Sequence, residues 1–242
     1  MSFPVSTSSR RAAACQSVRR QRGFTLLELS ITLLVIGLLL GAVAIGRDLQ
    51  RAAANQRLST DFVQGWQLAY EAYLNGVMRP PGDMEANPTG RVGGNTHELC
   101  GANMINDFLA KGIRLPEGRA EGQPDRFVYL DSNGNPQEVQ VCFQNVTWSE
   151  PGETIGTYVQ RSRNVMVLKR VTYSLAAMLD QQIDGRSDAR FGRLRDATLA
   201  GSVAAGSLPW PIDDSMAFGS TSPTFQDESQ VAVTTAYFQM TQ

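Results

Sequence analysis

Residues 22–45 read RGFTLLELSITLLVIGLLLGAVAI. The apolar run from Phe24 to Ile45 has 22 residues. As a helix rising 1.5 Å per residue it spans about 33 Å, enough to cross a hydrocarbon core of about 30 Å. Arg10, Arg11, Arg19, Arg20 and Arg22 precede it without a single acid, while Arg47 and Asp48 cancel just after it. The positive-inside rule then expects a single-pass membrane protein with a cytoplasmic N-terminus and everything beyond Arg47 outside. An ordinary secretory signal places its small-residue cleavage site after the apolar stretch. Here Gly23 lies before that stretch, so a cut at Gly23 removes the basic leader 1–23 and keeps the helix. Glu28 is the one carboxylate in the run. A charge at mid-membrane costs roughly 2.5–3.5 kcal/mol and usually has a partner. After a cut before Phe24, that partner is the new amine of a neighbouring copy; the alternative is that Glu28 snorkels to the interface.

Gly before Phe, Glu at the fifth place, a basic leader and an unbroken apolar run resemble the N-terminal signature of the type IV pilin and pseudopilin superfamily. The resemblance implies cleavage between Gly23 and Phe24 by a prepilin peptidase, N-methylation of Phe24, and assembly through Glu28. It also implies the bacterial inner membrane as the location, with the C-terminal domain periplasmic, and other pilin or pseudopilin subunits, an inner-membrane assembly platform and membrane lipid as partners. Many pilins carry a proline partway along this helix, where this chain has Ile45. Two further stretches are similar to a subset of minor pilins and pseudopilins. One is Pro81-Gly82-Asp83-Met84. The other is MLDQQIDGRSDARFGRLR (178–195), which departs from the usual pattern by interposing Arg186 and Ser187.

No proline occurs between Phe24 and Arg79, and Leu58, Phe62, Trp66, Ala69 and Tyr73 are spaced 4, 4, 3 and 4 apart. That spacing is one stripe of a helix facing a core. It predicts a helix over 24–75, roughly 75 Å long, with 24–45 in the membrane and Asn75-Gly76 as its cap. Gly37/Gly41 and Ala42/Gly46 are small-xxx-small pairs suited to lateral helix packing. The globular domain is expected over 76–242. A turn-rich loop over 80–95 leads to a short helix within 97–116, ended by Gly112 and Pro116. Strands are expected at 126–130 and 138–143, joined through Asn133-Gly134 as a hairpin, with a third at 163–171. A helix at 173–183 and a last strand at 231–240 that closes the sheet complete an α+β fold: a long helix on a small antiparallel sheet. Residues 199–230 read as loop.

The formal net charge is −1, but the chain after residue 23 holds 17 basic against 23 acidic residues, a net of −6. A mildly acidic body argues against nucleic acid as the partner. Of three cysteines, Cys15 lies in the leader. Cys100 and Cys142 read as a disulfide if the body meets an oxidising compartment, with two separate buried thiols as the alternative. His97 is the only histidine, and neither a metal-site cluster nor a phosphate-cradling glycine loop is present. Trp148 and Trp210 read as core. Asp180, Asp184 and Asp188 form a D-x₃-D-x₃-D series, the candidate Ca²⁺ ligands in a chain otherwise expected to need no cofactor. The reading is a structural subunit rather than an enzyme: a minor pilin or pseudopilin of a type IV pilus or type II secretion-like filament. Its rival is a membrane-anchored exported domain that binds a ligand by itself, and removal of the leader discriminates the two.

Overall fold

The computed structural model describes residues 24–95, 97–118, 120, 122–211 and 231–242. The leader, with Cys15 and Gly23, and residues 212–230 of the expected loop lie outside the described residues. The chain divides into two compact units, Met1–Arg47 and Asp48–Gln242.

In the first unit, helix α1 (Leu26–Arg57) begins after Thr25 and is unbroken through Ile45, where no proline interrupts it. Within it, Leu26–Val43 is long and apolar enough to cross a membrane.

In the second unit, α1 passes through a π-helical turn (Leu58–Val63) into α2 (Gln64–Val77). The helix does not stop at Asn75-Gly76 as expected. It continues to Val77, where Met78 takes the left-handed conformation (φ 60°) and donates its N–H to Leu74 O. The π turn widens the ladder where Leu58, Ser59, Phe62 and Val63 are buried together. The expected stripe holds: Leu58, Phe62, Trp66, Ala69 and Tyr73 are all buried, with Tyr70 beside them.

These side chains meet one face of a six-stranded antiparallel sheet. The strands are β1 (Leu99–Cys100), β2 (Arg126–Leu130), β3 (Pro136–Pro151), β4 (Tyr158–Thr172), β5 (Leu194–Asp196) and β6 (Val233–Gln239). The order is β1-β3-β4-β6-β5, and β2 also pairs with β3. Helix α3 (Gly101–Ala110) follows β1, and α4 (Tyr173–Asp184) follows β4. Four expectations are corrected in detail. Leu99 and Cys100 form a strand, not a helix start, because Cys100 pairs with Cys142. Strands β3 and β4 run well past 138–143 and 163–171. The last strand does not close the sheet but lies inside it, between β4 and β5. Strand β5 was not expected at all.

Alternation explains the layers. Phe143, Met166, Leu168 and Phe238 point to the helix, and Phe143 meets Trp66 and Tyr70 at ring-centroid distances of 6.0 and 5.2 Å. Phe108 of α3 closes the cluster against Trp66 and Tyr73, at 5.7 and 5.0 Å. Burying each large apolar side chain of this kind contributes about 1.5–3 kcal/mol. The opposite face carries a second, smaller cluster of Cys142, Trp148, Val165, Val167 and Ala200.

Candidate functional site

The N-terminal segment presents its chemistry outward. Every residue from Phe24 to Val43 is exposed, Phe24 by 80%. Thr25 caps α1: its Oγ1 accepts from Glu28 N–H at 3.2 Å, and its carbonyl accepts from Leu29 N–H at 3.1 Å. Thr-x-x-Glu is the capping-box pattern, a signal in the sequence that the reading above did not use. The cap fixes the first turn, so Phe24 and Glu28 are held one turn apart at the start of the helix. Ser30 and Thr32 return their hydroxyls to Leu27 O and Leu29 O, both at 2.8 Å, which leaves no unsatisfied donor on those side chains in lipid. Around Gly37 and Gly41 there is open space where a Cβ would stand. These glycines leave a bare strip of backbone on the helix surface.

The two short motifs that resemble minor pilins and pseudopilins are structural staples. Asp83 accepts from the N–H groups of Met84, Thr89 and Gly90 and from Thr89 Oγ1, at 2.8–3.1 Å, and so folds the loop on itself. Asn164 of β4 ties that loop to the sheet, accepting from Val92 N–H and donating to Gly90 O, both at 3.0 Å. Asp107 of α3 accepts from Gly82 N–H at 3.0 Å and from the Tyr73 hydroxyl at 3.1 Å.

Asp180, Asp184 and Asp188 do the same for the segment after α4. Asp180 Oδ2 accepts from Asp188 N–H (2.6 Å) and Trp210 Nε1 (2.8 Å). Asp184 Oδ2 accepts from Arg193 N–H (2.7 Å) and Leu194 N–H (3.0 Å). Asp188 Oδ1 accepts from Arg190, Phe191 and Leu208 N–H. Each carboxylate holds its own set of donors, backbone N–H groups and, for Asp180, the Trp210 indole N–H, and the three are not among the side chains whose ligand atoms gather within 4.8 Å of one another. Asp180 Oδ1 is buried without a hydrogen-bond partner. Burial, and then the neighbouring Asp184, push Asp180 up to about 7, against the pull of its two donors.

Cys100 and Cys142 are joined as a disulfide across β1 and β3, directly opposite each other with Cα atoms 4.6 Å apart. That is the close spacing of a non-hydrogen-bonded antiparallel pair. With Glu98 they form the one group of metal-ligand type that clusters among the described residues, but both sulfurs are consumed by the bond. His97 is exposed. A groove of about 440 Å³ runs between α2 (Gly65, Leu68, Ala69, Ala72) and residues 112–116, and holds no nucleophile–base pair.

The family described as the prokaryotic N-terminal methylation motif matches residues 18–44. No curated protein and no solved structure matches the chain. Residues 24–43 of the matched segment are all exposed, and its family is structural rather than enzymatic. It implies processing by prepilin peptidase, assembly with other pilins and anchoring in a membrane. This motif and the apolar helix that carries it support a type IV pilin or pseudopilin reading of the chain.

Proposed function

We propose that the chain is a minor pilin or pseudopilin, a non-catalytic subunit that enters a filament through α1 after losing residues 1–23. The observation that carries the reading is the methylation motif lying on a helix whose apolar surface, among the described residues of its unit, is exposed from Phe24 to Val43. Exposing that surface to water is strongly unfavourable, so it requires lipid before assembly and neighbouring helices after it. Prepilin peptidase cuts between Gly23 and Phe24, and the new Phe24 amine is methylated. Glu28 then receives the amine of an adjacent subunit, while the sheet domain faces the periplasm or the filament surface. The long globular domain with its loop-rich segments suits a minor or tip-proximal position.

N-terminal mass spectrometry of the mature protein is expected to find methylated Phe24; Met1, or a cut after Ile45, would rule the reading out. Glu28→Ala is expected to insert and be cleaved normally but to leave the Phe24 amine of an incoming subunit buried and unpaired, at a cost of roughly 3–5 kcal/mol per interface. Recovery of this variant in sheared filaments at the wild-type level would instead make Glu28 a residue that only snorkels.

A further inference from the structure

The two sulfurs of the disulfide sit in unlike surroundings. Cys142 lies in the middle of β3, fully buried among Trp148, Val165 and Val167. Cys100 is only half-buried, at the sheet edge, and immediately precedes the ten-residue helix α3. Lys169 Nζ of β4 stands 3.8 Å from Cys100 Sγ, held there by Glu98 Oε2 at 2.6 Å. An ammonium beside a sulfur favours its thiolate, as does the start of a helix, whereas apolar burial disfavours it. Glu98 opposes the ammonium in part, and Tyr237 of β6, packed on the same patch, adds no charge at neutral pH, since burial pushes its hydroxyl further up from an ordinary value already near 10.

We propose that Cys100 is the thiol through which this disulfide is installed, and Cys142 the thiol that closes it. In the first step the Cys100 thiolate attacks one sulfur of an oxidant disulfide, that of a thiol–disulfide oxidoreductase or of a small disulfide. A mixed disulfide forms at Cys100, and the oxidant's other sulfur leaves as a thiolate that takes up the proton Cys100 lost. In the second step Cys142 loses its proton and its sulfur attacks Cys100 Sγ, expelling the oxidant's remaining sulfur. That sulfur takes up the proton Cys142 lost, and two electrons pass from the cysteine pair to the oxidant, which ends as a dithiol if it is an oxidoreductase or as two thiols if it is a small disulfide. The asymmetry also resists reversal. A reductant reaches only Cys100, and attack there must expel Cys142 as a thiolate inside an apolar cluster, the slow direction of exchange.

The test uses the full chain in detergent with Cys15→Ser, comparing Cys142→Ser (Cys100 left free) with Cys100→Ser (Cys142 left free). Oxidised glutathione is the probe, and mixed-disulfide formation is followed by mass. Cys100 is expected to react about tenfold faster or more at pH 7, and the difference is expected to vanish in concentrated guanidinium chloride. Lys169→Met should slow Cys100 several-fold, Lys169→Arg should restore it, and Glu98→Gln should speed it. Equal rates in the folded variants, or Lys169→Met and Glu98→Gln moving the rate the same way, would overturn the proposal. Should either cysteine variant fail to fold by circular dichroism, the reduced Cys15→Ser protein is briefly alkylated and peptide-mapped. Label at Cys100 first supports the assignment, and label at Cys142 first overturns it.

Discussion

Helix residues 26–43 and 58–73 are both rich in large apolar side chains, yet only one set finds partners in its own unit. In the first, Leu26, Leu27, Leu29, Ile31, Leu33 and Leu34 point in every direction and all are exposed. In the second, burial is confined largely to one face, and Glu71 and Leu68 on other faces stay at least partly accessible. An apolar surface that goes all the way round cannot be covered by a single sheet, so its complement has to come from lipid or other helices. A stripe of about 100° can be covered by one sheet, and here it is. Three residue pairs carry this contrast: Trp66 and Leu34, Asp180 and Glu28, Thr172 and Thr25.

The largest effect is expected from the apolar pair. Trp66→Ala removes a fully buried ring that meets Phe108 and Phe143 and donates Nε1–H to Pro124 O at 3.0 Å. It should destabilise the globular domain by about 3–5 kcal/mol in denaturant unfolding followed in detergent. Leu34→Ala should leave that same transition within about 0.5 kcal/mol of wild type. A comparable loss from Leu34→Ala would mean that the apolar helix is buried by its own domain after all.

The carboxylate pair gives the next effect. With Asp180 raised from 3.8 to about 7, the folded state holds a proton that the unfolded state releases throughout that window. Stability contributed by this group is therefore full below about pH 4 and falls as pH rises to about 7. Asn at 180 keeps an acceptor for Trp210 and Asp188 and carries no charge. Asp180→Asn should flatten this part of the pH profile and stabilise the domain at pH 8 by on the order of 2 kcal/mol. Denaturant midpoints measured from pH 4 to 8 check it; an unchanged slope would refute the assignment. Glu28→Ala should not alter the profile at any pH.

The smallest effect comes from the two caps. Thr172 Oγ1 accepts from Leu175 N–H at 3.3 Å, much as Thr25 does from Glu28 at 3.2 Å. Thr172→Ala should cost the domain about 1 kcal/mol, whereas Thr25→Ala should leave its unfolding midpoint where it was. Equal shifts in both variants would remove the distinction.

What could be read from the residues follows the same logic. The stripe at 58, 62, 66, 69 and 73, the 126–143 hairpin and the helix from Tyr173 rest on local signals, periodicity or turn chemistry, and these are present in the structure. The outer halves of β3 and β4 escaped because residues 144–151 and 158–163 are mostly polar on both faces. Their order comes from each other and from pairs such as Glu150 with Arg163. Strand β5 reads Leu-Arg-Asp and is buried throughout. Arg195 lies 4.1 Å over the Trp148 ring and donates to Ser149 O, while Asp196 Oδ2 accepts from the Thr234 hydroxyl. Partners 38 to 47 residues distant in the chain make those polar residues interior ones, and no local pattern announces that. At the assembly segment, the reading of Gly23, Phe24 and Glu28 rests on adjacency alone, and the mass of the mature N-terminus decides it. The donors that Asp180, Asp184 and Asp188 take up are mostly backbone N–H groups, which leave no trace in residue identity.

Placing β6 between β4 and β5 has a consequence in time. The edge of β4 from Val165 to Thr172 is complete about 60 residues before Val233 is synthesised. At about 5–20 residues per second, that edge waits roughly 3–12 s for its partner. Throughout that interval Val165, Val167, Leu168 and Val171, all interior in the finished sheet, lie on a strand whose far edge, away from β3, is open to any other extended chain. The hazard is greatest while the chain is newly made and least once β6 has docked, so it grows with the crowding of nascent copies rather than with any instability of the finished fold.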